Sequence, residues 1–219
     1  MGTLPRISGA AVVAAAVLFG VLARKVYAVA VDQVNIPVSF STGQVYNLSS
    51  TSNTPIGQEF IPSLGAMDFV DLFIEDAGSG AGPGANVLVN VRSATIAGSI
   101  VGTSLTTFVP DGTNTGGGST LTRISFASLV PLVPGSTYVL EVQQTGSIVV
   151  GNSNFGLAGD NIGAGAYGNG RAIIDGNPVA GNDFWFREGV VPEPTFAGLV
   201  GFGSVLFASR RRSCQSHAF

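Results

Sequence analysis

Thr137-Tyr138-Val139-Leu140-Glu141-Val142-Gln143-Gln144 is the run that decides the class of fold. Successive side chains of an extended chain point to opposite faces, so Tyr138, Leu140 and Val142 share one side while Glu141 and Gln143 share the other. The same period of two turns Val87, Val89 and Val91 inward and Asn90 and Arg92 outward within residues 86–92. Residues 69–75, 121–127, 171–175 and 184–188 read as further strands. Half-buried strands need a second apolar surface across from them. The pattern therefore predicts an all-β domain of β-sandwich or jelly-roll-like form.

The intervals between these runs carry turn chemistry. Val133-Pro134-Gly135-Ser136 is a tight connection, and residues 77–84 (AGSGAGPG) are too glycine-rich for regular structure. Residues 111–120 and 151–170 read as longer loops of Gly, Asn and Ser, the kind that carry binding at one end of a sandwich. With 31 glycines and 11 prolines in 219 residues, the chain favours many turns over long helices. Its length suits one core of about 150 residues plus terminal segments.

Charge is distributed unevenly. The formal total is -3, but between Val31 and Val191 twelve acids face four bases (Arg92, Arg123, Arg171, Arg187), a balance of −8 with no lysine. Polyanion binding depends on clustered Lys and Arg, so nucleic acid is set aside as a partner. Cys214 and His217 are the only cysteine and histidine, and both fall in the last six residues. Residues 31–191 thus offer no thiolate or imidazole for a zinc site or a nucleophile–base pair, and no cofactor or metal is expected.

Both ends carry an apolar run with bases beside it. At the start, Arg6 precedes an apolar stretch over residues 7–23, followed by Arg24-Lys25 and then Ala28-Val29-Ala30. A basic start, an apolar middle and small residues at −3 and −1 describe a helical signal peptide over residues 1–30, with cleavage after Ala30 and export by the Sec translocon. Arg24 and Lys25 fall where such peptides are normally uncharged, so retention as an uncleaved anchor is the alternative. At the other end, Pro192-Glu193-Pro194 precedes an apolar run over residues 195–209, and Arg210-Arg211-Arg212 follow it. Fifteen helical residues reach roughly 22 Å, short of the roughly 30 Å of hydrocarbon in a bilayer. Three arginines hold their end in the cytoplasm. A two-span chain with that orientation places residues 31–191 outside, and residues 213–219 become a cytoplasmic tail.

This tail resembles the PEP-CTERM sorting signal of bacteria: Pro192, Glu193 and Pro194 fill the motif, residues 195–209 the short transmembrane helix, and Arg210, Arg211 and Arg212 the basic stop. The resemblance implies an exosortase as partner, processing near the motif, transient anchoring in the inner membrane, and final residence at the cell surface or in the extracellular matrix. Gly57-Gln58-Glu59-Phe60 and Asn182-Asp183-Phe184-Trp185-Phe186-Arg187-Glu188 are similar to the segments that open and close the central region of other PEP-CTERM proteins. That implies a shared fold and route of secretion.

The central domain therefore reads as a non-catalytic surface or matrix protein, with an exopolysaccharide-binding module as the alternative and a secreted glycosidase behind both. If Phe184 and Phe186 face the core, Trp185 and Arg187 project outward, where an indole stacks on a sugar ring and Arg187 pairs with an acid. Burial under a neighbouring loop is the ordinary reading for Trp185 and the one preferred to an exposed platform. Asp71 and Glu75 share a strand face, flanked by Asp68 and Asp76, and paired carboxylates are what glycoside hydrolysis or calcium binding uses. They follow no recognisable ligand spacing, and solvated acids are the ordinary explanation. Residues 163–168 (GAGAYG) match the GxGxxG phosphate loop in letters only, since the following residues predict a turn and a strand where that loop requires a helix.

Overall fold

The computed structural model describes residues 28–37, 40, 44–78, 82–116, 118–145, 155–160 and 167–192. The signal peptide and the transmembrane helix expected at the two ends lie outside these residues, as do Glu193, Pro194, Arg210, Arg211 and Arg212. No α-helix occurs among the described residues, which form fourteen strands. They are β1 (Ala30–Asn35), β2 (Gln44–Asn47), β3 (Ile56–Phe60), β4 (Ala66–Leu72), β5 (Ile74–Asp76), β6 (Ala85–Ser93) and β7 (Ile100–Thr103). The second half adds β8 (Thr107–Val109), β9 (Thr122–Pro131), β10 (Tyr138–Thr145), β11 (Phe155–Gly159), β12 (Ala172–Ile174), β13 (Asn177–Pro178) and β14 (Phe186–Val190).

All pairings are antiparallel. One sheet runs β1-β14-β4-β9, a second β13-β12-β3-β10-β6-β7 with β8 also on β6, and a third β2-β11-β5. These strands belong to one unit, Val29–Val191. The alternation predicted from residues 137–144 is observed: Leu140 and Val142 of β10 and Val87, Val89 and Val91 of β6 enter the core with Ile56 and Phe60 of β3. Val70 and Leu72 of β4, Ile124 and Phe126 of β9 and Phe186 of β14 meet them from the first sheet. A core fed by both large sheets explains the valine, isoleucine and phenylalanine content of the inward positions. These side chains pack well on a pleated surface, and each fully buried one contributes roughly 1.5–3 kcal/mol. At the predicted tight connection, Gly135 has φ 80° and Ser136 N–H donates to the Val133 carbonyl at 3.1 Å, with Pro134 fixing the preceding φ.

Three expectations are corrected. Asn90 and Glu141 leave the core face as predicted, but each is only 6% exposed. They cover one another: Asn90 Nδ2 donates to Glu141 Oε2 at 2.9 Å, Arg92 Nε donates to the same oxygen at 2.7 Å, and Thr103 Oγ1 donates to Asn90 Oδ1 at 2.9 Å. Residues 69–75 are not one strand. The ladder breaks at Phe73, β4 staying with β14 and β9 while β5 crosses to β11. Residues 151–170, read as a loop, contain β11. The glycines that suggested a loop serve close approach instead, since a Cβ on Gly156 would run into Val45 and Tyr46, and one on Gly159 into Asp183 and Phe184.

Candidate functional site

β14 and the two residues before it carry what the sequence singles out, and the two faces of this segment have different fates. Phe186 points into the main core, with the preceding Phe184 beside it, and Glu188 follows on the same face. Trp185 and Arg187 turn the other way, as alternation requires. Trp185 is nevertheless 1% exposed, because Phe40, Phe73, Val45, Leu121 and Ala158 form a second small cluster over it. Phe73 and Phe40 meet the indole edge-on at 5.3 and 5.1 Å, and the indole Nε1 donates to Asp160 Oδ1 at 2.8 Å. Trp185 is therefore a core residue of the outer face, and no sugar ring can stack on it. Of the two readings of Trp185, burial beneath neighbouring segments, the one the sequence favours, is observed, and the exposed platform is not.

Arg187 does stay at the surface and does pair with an acid. Across the first sheet, Val34, Arg187, Asp71 and Arg123 stand in one register row. Arg123 grips Asp71 through Nε and Nη2 at 2.8 and 2.9 Å, and Arg187 Nε reaches Asp71 Oδ2 at 2.6 Å. Burial pushes the Asp71 carboxyl up, but the hydrogen bonds and charges of the two guanidinium groups outweigh it and hold the pKa below the ordinary value. The Arg123 guanidinium also covers the Phe69 ring, 4.1 Å from its centroid. Clamped by three bonds from two guanidinium groups, Asp71 is held ionised against the sheet, which suits neither donating a proton to a sugar nor attacking one. Glu75 has gone with β5 to another sheet, Asp68 accepts the Val191 N–H at 3.0 Å, and Asp76 accepts Gly78 and Gly112 N–H groups at 2.9 Å each. The four acids do not converge.

A cluster that sequence reasoning missed lies on the inner face. A bulge in β1 places both Asp32 and Gln33 against Glu188 of β14. Glu188 is fully buried, and neither carboxyl oxygen has a well-formed hydrogen bond among the described residues. Burial, and then the charge and contact of Asp32, push Glu188 up to about 8, so it carries a proton at neutral pH. Asp32 accepts the Ser63 and Leu64 N–H groups at 2.8 and 2.9 Å, and the Ser63 hydroxyl as well; these bonds outweigh burial and lower its pKa. Tyr167, buried against Phe186, donates its hydroxyl to Gln33 Oε1 at 3.1 Å, and burial raises its pKa. Asp183 is raised, mainly by burial, and accepts Gln58 Nε2 at 3.0 Å. Adjacent carboxyl groups with pKa values driven apart suit acid–base chemistry in principle. Here Glu188 is shut away from solvent, and Asp32 is held by the Ser63–Leu64 turn.

Next to this cluster is an open groove of about 380 Å³ whose lining includes Glu59, Thr137, Gly168, Asn169, Arg171 and Gly181. Arg171 Nε donates to Glu59 Oε2 at 3.0 Å, and Asn169 Nδ2 reaches Gln33 Oε1 at 3.4 Å. The partners are 112 residues apart in sequence, so nothing local joins them. Only the pairing of β12 with β3 does. Of the glycine motif at residues 163–168, only Tyr167 and Gly168 are described, and Gly168 opens on this groove.

Ala28 is exposed outside any strand, and Ala30 begins β1, paired with Val190. Pro192 is the last described residue. No group of three or more metal-ligating side chains occurs among the described residues. No protein-family model matches the chain, and neither does any curated protein.

Proposed function

We propose that this is an exported, non-catalytic protein of the bacterial cell surface or extracellular matrix, a β-sandwich of jelly-roll type carried through the Sec translocon and sorted by an exosortase acting on a PEP-CTERM tail. The observation that carries the reading is the tail itself: Pro192-Glu193-Pro194, fifteen apolar residues too few to span comfortably, and Arg210-Arg211-Arg212. The domain's own ends support it. β1 and β14 are antiparallel neighbours with Ala30 against Val190, so the chain enters and leaves the domain at one end of one strand pair. A domain connected on one side only suits a molecule whose two apolar segments enter the same membrane. Reading residues 31–191 as non-catalytic is supported by their lack of His and Cys and by the clamping of Asp71 between two guanidinium groups.

Intact mass of protein recovered from each cell fraction tests the proposal. Surface or matrix material should lack the residues after about Pro194, and membrane material should retain them. Recovery of exported protein with residues 195–219 intact would overturn the processing step. Contact with neutral exopolysaccharide is the second reading, favoured by the open polar groove beside β3 and β12.

A further inference from the structure

Four polar groups converge on the groove with bonding capacity to spare. Glu59 lends Oε2 to Arg171, which leaves Oε1 as an acceptor. The Arg171 side chain is 52% exposed, and its terminal nitrogens make no hydrogen bond among the described residues. Asn169 turns its Nδ2 toward Gln33, an acceptor fixed in turn by the Tyr167 hydroxyl, so the amide oxygen is the end left to the groove. Thr137 adds a hydroxyl. Gly168 matters for what it lacks. It is not among the positive-φ glycines, and a Cβ there would meet no atom within 4 Å. Neither backbone conformation nor packing requires glycine at this position, and the absent side chain leaves the groove open. Gly170 differs, because a Cβ there would strike the Glu59 carbonyl.

We propose that this groove binds a neutral hexose unit of a glycan chain. Every sugar hydroxyl both donates and accepts, and a carboxylate oxygen, guanidinium N–H groups, an amide oxygen and a hydroxyl around one concavity offer both functions. An anionic ligand would meet Glu59, which already neutralises Arg171, in a segment whose balance is −8. An apolar ligand would leave these groups desolvated and unpaired. The volume lies within the range of small-ligand sites, and the open form lets a polymer continue past the bound unit. The inference deepens the exopolysaccharide reading and is independent of the exosortase step.

The test uses the full chain in lauryldimethylamine oxide, a detergent without a sugar headgroup. Soluble neutral oligosaccharides of glucose, galactose and mannose are the probes, with digalacturonate as the acidic counterpart, followed by saturation-transfer NMR and calorimetry. A neutral oligosaccharide should bind in the millimolar range, and Arg171→Ala and Glu59→Gln should each weaken it about tenfold, the effect of losing a charged hydrogen-bond partner. Gly168→Phe should abolish binding and leave thermal unfolding unchanged, since the new side chain enters open space. Neutral binding that survives both Gly168→Phe and Arg171→Ala would overturn the groove and leave the exopolysaccharide reading standing. Binding confined to digalacturonate would overturn the neutral class, and binding of none of the probes would overturn both readings.

Discussion

Trp185, just before β14, and Arg187, within it, are two residues apart and turn to the same side, yet one is 1% exposed and the other has a side chain 39% exposed. The difference comes from what reaches each end of the sheet's outer surface. Over Trp185 lie Phe40 and Val45, and Ala158 arrives from β11. Among the described residues no such cluster covers Arg187. Its row ends at Val34 on the edge strand β1, itself 53% exposed. Where a cover exists, the outer face is aromatic and dry. Where none exists, the strand carries arginine, and a shared aspartate holds two guanidinium groups down on the sheet. Alternation assigns a side chain to a face; a distant segment decides whether that face meets water.

The comparison can be broken at its covered end. Trp185→Ala should cost roughly 3–5 kcal/mol, the range for emptying an aromatic site in a core, measured by urea unfolding. Trp185→Phe should cost much less, since most of the packing survives and only the Asp160 bond is lost. A loss within about 0.5 kcal/mol for Trp185→Ala, as at an ordinary surface position, would mean the aromatic cover is not formed in solution.

On the inner face of the same strand, Glu188 makes stability fall with rising pH. Its folded pKa, about 8, exceeds the ordinary 4.5, so the native state holds a proton the unfolded chain has released. Between those values each pH unit removes about 1.4 kcal/mol at most, roughly 5 kcal/mol in all. The raised Asp183 acts in the same sense. Asp71 and Glu141, both lowered, act oppositely: their stabilisation is lost as pH falls through their folded pKa values. Stability should therefore peak in the mildly acidic range. Glu188→Gln should flatten the slope between pH 5 and about 8 in thermal-unfolding scans. An unchanged slope would remove Glu188 from this role.

At the open end the prediction is an asymmetry. Replacing both arginines (Arg123→Gln with Arg187→Gln) strands a carboxylate whose side chain is 2% exposed, and should cost about 3 kcal/mol. Asp71→Asn leaves two guanidinium groups that already reach water and should cost about 1–2 kcal/mol. Equal losses in urea unfolding would mean that Asp71 also meets water and that the open end is looser than the row implies.

Much of the fold was legible because strand alternation is a local property of the pleated backbone. The inward valines of β6, the apolar row of β10 and the Pro134-Gly135 turn were readable from a few residues each, as was the outward side of Trp185 and Arg187. The apolar runs over residues 7–23 and 195–209 are plain in composition, but lie outside the described residues. What the sequence could not show is what lies against what. Phe73 breaks a run that reads as continuous, because the chain changes sheets there. β11 hides in a glycine-rich stretch, because its glycines admit a neighbouring strand. Glu188 is buried beside Asp32 and Gln33, at a bulge more than 150 residues away in sequence, and Glu59 meets Arg171 only through the pairing of β3 with β12. Period and composition are written along the chain, whereas burial, pKa and the walls of a groove belong to segments brought together by packing.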